Sequence, residues 1–256
     1  MPESHGLIGP NPRNAWRADG RSVTLARPRR DPRPVTVEAL PQTVTADLAA
    51  TALIVVDMQN DFCSPDGWLA SIGVDVTPAR APIPVIAGLL APLRAVGVPV
   101  VWLNWGNRPD RANLPPGVLH VYDPDGTGCG IGAPLPGGAG RVLEHGSPSA
   151  ALVAGLEAAE GDIQVAKYRM SGFQDTELDS VLRNLRVDTL LFAGVNADQC
   201  VLATLMDAAN LGYDVLMVED AVATTSPAYC MAATLYNVRQ CFGFTLTAGA
   251  LREALK

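Results

Sequence analysis

Histidine is almost missing from this chain. Three occur in 256 residues, His5, His120 and His145, and no H-x-H or H-E-x-x-H spacing exists. That excludes a zinc hydrolase held by clustered imidazoles and leaves acid–base work to other side chains. No C-x-x-C pair is present. The five cysteines (Cys63, Cys129, Cys200, Cys230, Cys241) are odd in number and scattered, which excludes a disulfide frame and reads as reduced thiols of a cytoplasmic protein. No run reaches 18 apolar residues, so no membrane span is expected. Residues 1–34 are polar and rich in Pro and Arg, without the apolar stretch of a secretory leader. The net charge of −7 argues against nucleic acid as a partner.

What is present is a core. A hydrophobic content of 48% against 18% charged residues suits a compact globular protein without disulfide or metal support. Residues 1–46 stand apart: seven arginines lie between Arg13 and Arg33, prolines are interleaved, and hydrophobic periodicity is absent. They read as an extended arm ahead of one domain over 47–256, lying free, across the body or against a second subunit.

From residue 51 the pattern alternates between strand and helix. Apolar runs predict strands over 52–56, 98–103, 162–166, 190–194, 214–218 and 242–246. Helices are predicted over 85–96, 150–156, 176–185, 201–211 and 227–238, with a short one ending at 255. Thr176 and Asp179 have capping-box spacing. Residues 104–148 form a Gly/Pro-rich excursion too long for a plain connection. This alternation predicts an α/β fold: a Rossmann-like three-layer sandwich with a mostly parallel six-stranded sheet and helices on both faces.

Three predicted strands lead into chemically useful residues: Asp57, Lys167 and Cys200. Right-handed crossovers place those strand ends on one edge of the sheet, where open α/β sheets bind ligands. Cys200 opens a predicted helix, whose free N–H groups and dipole would favour its thiolate. Each residue alone has a plainer reading: a buried small hydrophobe, a cap, a surface charge. Together they suit acyl transfer at cysteine. Asp57 would move the proton, Lys167 would offset negative charge, and Cys200 would attack a carbonyl to give a thioester. Gln59, Asn104 and Phe173 are candidates to line the substrate pocket, with Trp105 as a wall. Asn and Gln suit a neutral ureide because each offers a donor and an acceptor. Phe173 reads equally as core, Trp102 reads as core, and the other four cysteines read as structural.

The segments Leu53-Ile-Val-Val-Asp57-Met-Gln-Asn-Asp-Phe62, Lys167-Tyr-Arg-Met-Ser-Gly-Phe173 and Gly194-Val-Asn-Ala-Asp-Gln-Cys200 resemble, in order and spacing, the three motifs of the isochorismatase-like cysteine hydrolases. The resemblance spans roughly 52–255. It implies a catalytic triad of Asp57, Lys167 and Cys200. It also implies a cis peptide at Val195-Asn196, with the N–H groups of Asn196 and Cys200 as an oxyanion hole. No histidine follows the first motif at the metal-ligand positions of the nicotinamidase-type members, so no metal and no cofactor are expected. Retention of the cysteine favours a small amide, ureide or lactam over the vinyl ether of isochorismate. Homo-oligomers are common in the family and are expected here.

The segments 171–173, 178–182 and 235–237 resemble ureidoacrylate amidohydrolases. Cys63, Arg108-Pro-Asp and Leu114-Pro115 resemble biuret hydrolases, and streptothricin-type hydrolases are a third similar group. Two positions depart from the family: Ala197, where Thr is usual, and Gln199, where a small apolar residue is usual. These departures leave room for a non-catalytic or redox-responsive scaffold of the same fold. A carbon–oxygen hydrolase of the isochorismate type is a further alternative.

Overall fold

The structure, a computed structural model, describes residues 6–27 and 30–256. The segment read as an extended arm carries short antiparallel strands. β1 (Gly6–Ile8), β2 (Trp16–Ala18) and β3 (Val23–Thr24) form a small meander, and β4 (Pro34–Val37) pairs with β5 (Val44–Asp47). Alternation over strands of two to four residues leaves too little signal for periodicity to register. Arg13 fastens this region to the body, donating to the carbonyls of Ala49 and Gly97.

The central sheet holds β6 (Thr51–Val56), β7 (Val100–Trp105), β8 (Ile163–Lys167), β9 (Thr189–Gly194), β10 (Asp214–Val222) and β11 (Phe244–Leu246). Its order is β11-β10-β9-β6-β7-β8, and every neighbouring pair is parallel. All residues of β6 and β9 are buried, which is why these strands read as unbroken apolar runs. β6 and β9 come so close that a Cβ on Gly194 would lie 2.1 Å from the Val56 carbonyl oxygen, at a φ of +114°. Only glycine meets both conditions.

Helices follow the strands. After β6 come three single turns, α1 (Asn60–Cys63), α2 (Trp68–Ser71) and α3 (Thr77–Arg80), then α4 (Pro82–Ala95). One-turn helices are too short to show a 3.6-residue period, so the sequence did not announce the first three. α5 (Pro116–Leu119) is a single turn within the excursion, and α6 (Leu178–Leu185), α7 (Leu202–Asn210), α8 (Ala228–Asn237) and α9 (Ala248–Ala254) complete the set. Among the described residues no helix is long and apolar enough to cross a membrane.

Two local expectations fail. The helix over 150–156 does not form beyond a 3-10 turn at Pro148–Ala150. The chain there pairs instead with the stretch after β6: Leu152 bridges to Gln59, and the Val153 N–H donates to Met58 O. The predicted capping box at Thr176 is half made. Thr176 Oγ1 accepts the Leu178 N–H, while Asp179 turns outward to Arg183 and Tyr213.

Candidate active site

The three strand-end residues meet. Lys167 Nζ lies 2.8 Å from Asp57 Oδ2 and donates to Cys200 Sγ at 3.2 Å. Asp57 and Lys167 are wholly inaccessible to solvent and Cys200 is 5% exposed. Lys167 sits on the edge strand β8, two strands from β6, so its side chain must cross the end of β7. Trp105 fills that crossing. Its ring centroid lies 4.3 Å from Lys167 Nζ, and its indole N–H donates to the buried Asn107 Oδ1 at 2.7 Å. A cation held against an aromatic face keeps its charge at lower cost than in bare apolar surroundings.

Asp57 is fixed from both ends. Its N–H donates to Leu103 O at 2.9 Å, and its Oδ1 accepts the Trp105 N–H at 2.8 Å. Its φ of 50° lies in the left-handed region that non-glycine residues seldom occupy. Strain of this kind is tolerated where the surroundings over-determine a functional position. Burial pushes the Asp57 carboxyl up, opposed by the Lys167 charge. Burial alone would lower Lys167, but the charges and hydrogen bonds of Asp57 and Cys200 outweigh it and raise the ammonium. The two groups stand at ion-pair distance, and burial makes the carboxylate a stronger base than an exposed one.

Cys200 lies in a π-helical turn, Ala197–Val201, ahead of α7. Such turns recur at functional sites. The expectation of a resting thiolate fails here. Burial pushes the Cys200 thiol up to about 12, with Lys167 pulling it down and Asp57 pushing it up. The resting form is the thiol, within hydrogen-bonding reach of Asp57. Met170 Sδ covers the sulfur at 3.8 Å. Thr204 ties this turn to the lysine motif by donating to Cys200 O at 2.7 Å and accepting the Gly172 N–H at 3.0 Å. The Val195–Asn196 peptide is cis, and the Asn196 N–H has no acceptor among the described residues. Ala197 is fully buried and its N–H donates to Ala223 O at 2.8 Å.

Of the other residues expected at the site, Trp105 packs on Lys167, Gln59 shares the Trp105 N–H with Asp57, Asn104 lines a cavity with both Gln59 and Trp105, and Phe173 lies elsewhere. Gln59 is buried, and its amide is consumed by the backbone. Its Nε2 donates to Trp105 O and Ala150 O, and its Oε1 accepts the Trp105 N–H. Asn104 neighbours Trp105 on β7, so it points to the opposite face of the sheet. It lines a cavity of about 190 Å³ together with Gln59, Trp105, His145 and Gln164. Phe173 packs on Tyr213, ring centroids 5.8 Å apart, near the start of β10 at the far edge of the sheet. Trp102 is core, its N–H donating to Asp162. Cys63 is buried, Cys129 and Cys230 are half-buried, Cys241 is exposed, and all are free. The sequence reading missed Met170, Asn107 and Tyr122, whose hydroxyl meets Gln199 beside the cysteine at 3.3 Å. Only the departure at Gln199 hinted at this last contact.

Residues 51–250 match the isochorismatase domain. The chain belongs to the isochorismatase family. It is 35% identical over 217 residues to ureidoacrylate amidohydrolase RutB of Azorhizobium caulinodans, covering 84% of this chain and 95% of that protein. An isochorismatase family protein from Desulfovibrio vulgaris shares 33% identity at a TM-score of 0.65, over 80% of this chain and 98% of the other. N-carbamoylsarcosine amidase from Thermoplasma acidophilum shares 25% at a TM-score of 0.57, over 77% and 96%. This isochorismatase-family protein is a hydrolase of carbon–nitrogen bonds other than peptide bonds.

The two thiols pushed up to about 12, Cys200 and Cys63, make stability depend on alkaline pH. In the unfolded chain they ionise near the ordinary 9.0. Above that pH the folded state holds more protons than the unfolded state. Their contribution is therefore whole below about 9 and is lost as pH rises toward about 12. Urea midpoints are expected to hold from about pH 7 to 8 and to fall from about pH 9 upward. Cys200→Ala is expected to fall less steeply, and an equal slope in the two proteins would place the Cys200 thiol outside the buried, neutral state.

Proposed function

We propose that the protein is a cysteine-dependent amidohydrolase that cleaves the carbamoyl C–N bond of a small ureide through a thioester on Cys200. The buried convergence of Asp57, Lys167 and Cys200 carries this reading. As Cys200 Sγ attacks the carbonyl carbon, its proton passes to Asp57. The oxygen gains negative charge and is met by the N–H groups of Asn196 and Cys200, a donor pair worth roughly 3 kcal/mol per bond when well placed. Asp57 then gives its proton to the leaving nitrogen and the C–N bond breaks. For a ureide this leaves an S-carbamoyl cysteine and a free amine. Water, deprotonated by Asp57, attacks the thioester and regenerates the thiol, releasing carbamate. Lys167 keeps its charge throughout and holds the carboxylate ionised.

The ureide class rests on two relatives, one named for ureidoacrylate and the other for N-carbamoylsarcosine, since both names describe a carbamoyl group on nitrogen. The chain is read as acting without metal or cofactor, because the thiol, the carboxylate and the ammonium supply nucleophile, proton carrier and charge. Amine and ammonia release should be measured on ureidoacrylate, biuret, nicotinamide and a streptothricin-type lactam. Release is expected from ureidoacrylate, or failing that from biuret. Turnover of nicotinamide or the lactam alone would overturn the ureide assignment, and silence on all four would overturn the class.

A further inference from the structure

The residue before the nucleophile has no part in the chemistry above, yet its side chain joins three segments at the site. Gln199 Nε2 donates to Tyr122 Oη at 3.3 Å and to Ser226 Oγ at 3.3 Å, and its Oε1 accepts from Asn196 Nδ2 at 3.5 Å. Ser226 lies on the loop after β10, whose Thr225 N–H donates to Asn196 Oδ1 at 3.1 Å. Tyr122 belongs to the Gly/Pro-rich excursion, between β7 and the 3-10 turn at Pro148–Ala150.

Tyr122 is held as a device would be. Its φ is 59°, a left-handed conformation that a bulky residue rarely adopts. Its ring stands edge-on to Trp68, centroids 5.7 Å apart at 88°. Trp68 is buried, and its indole N–H donates to Cys129 O at 2.6 Å, so the same side chain grips the excursion twice. With the ring fixed this way, only the hydroxyl reaches Gln199. A small apolar residue at 199 would leave that hydroxyl without this partner.

We propose that Gln199 is a positioning residue that latches the excursion, through Tyr122, onto the nucleophile turn, closing it over Cys200 and restricting entry to small substrates. This rests on Cys200 being the nucleophile, but the latch itself can be read without turnover. Tyr122→Phe keeps the ring against Trp68 and removes only the hydroxyl. Gln199→Leu keeps the bulk and removes the amide.

Cys200 labelling by a bulky maleimide and by iodoacetamide, mapped by mass spectrometry, is compared in the native protein, both variants and the double variant. KM and kcat are measured alongside on the ureide that turns over. Tyr122→Phe is expected to speed maleimide labelling about fivefold, the weight of one net hydrogen bond, and Gln199→Leu, which also loses Ser226 and Asn196, by at least as much. Iodoacetamide labelling should change less. The double variant should go no further than Gln199→Leu alone, because the Tyr122 link is already cut there. In Tyr122→Phe, KM should rise by a similar factor with kcat within about twofold of native. Unchanged maleimide labelling in Tyr122→Phe, additive effects, or a fall in kcat at constant KM would overturn the latch. Faster labelling in proteins that turn over no ureide would uphold the latch and overturn only the amidohydrolase mechanism.

Discussion

Cys200→Ala is expected to lower turnover by at least about 10⁴-fold, in line with removal of a nucleophile that acts as one unit with its base. The fold should survive. Cys200 is buried but small, and the Asp57–Lys167 ion pair stays intact without it. Urea unfolding should therefore shift by no more than about 2 kcal/mol. Cys200→Ser should be nearly as inactive, since the hydroxyl is a far weaker nucleophile than the thiol at comparable protonation. Steady-state assays with circular dichroism on the same samples check this. Activity within tenfold of native in either variant would remove the thioester route. Retained hydrolysis of a vinyl ether by Cys200→Ala would point to isochorismate-type chemistry instead.

The second large effect concerns the ion pair. Asp57→Asn leaves the Lys167 ammonium fully buried with no countercharge. Breaking a buried pair at one partner costs about 3–5 kcal/mol, whereas replacing both partners with neutral groups is close to neutral. Asp57→Asn should therefore unfold at markedly lower urea, and Asp57→Asn/Lys167→Met should recover most of that loss. Neither should recover turnover, because the proton carrier is gone in both. Equal stability of Asp57→Asn and native would mean that Lys167 is already neutral, which contradicts the charge pattern derived above. Recovered activity in the double variant would exclude Asp57 as the acid–base group.

The convergence of Asp57, Lys167 and Cys200 was legible in the sequence because these residues sit at topologically fixed places. A residue that ends a buried apolar strand in an α/β pattern must lie at the ligand-binding edge, whatever the helices do. Asp57 and Lys167 follow from that rule alone, and Cys200 follows from the turn that begins its helix. The pocket residues were less legible, for two physical reasons. Strand residues alternate faces, so Asn104 and Trp105, one position apart, border one cavity while only Trp105 packs on Lys167. And motif neighbours need not stay at the site. After Lys167 the chain runs back along α7, where Gln174 pairs with Asp207, and carries Phe173 to the far edge. Gln59 shows a third limit. A side chain with the right chemistry for a ureide is spent on backbone groups that have no other partner.

The thiol's protonation was misjudged from sequence because helix position was visible and burial was not. The short strands of the N-terminal arm escaped notice because strands of two to four residues carry almost no period. The departures at Ala197 and Gln199 had allowed a non-catalytic scaffold. Membership of the isochorismatase family, with amidohydrolase relatives, sets that alternative aside.

The most direct test of the central claim is to quench the native protein during turnover of a ureide and map covalent adducts by mass spectrometry. A carbamoyl group on Cys200 is expected, absent without substrate and absent in Cys200→Ala. Full turnover with no adduct at Cys200 under rapid acid quench, or an adduct on another residue, would contradict it.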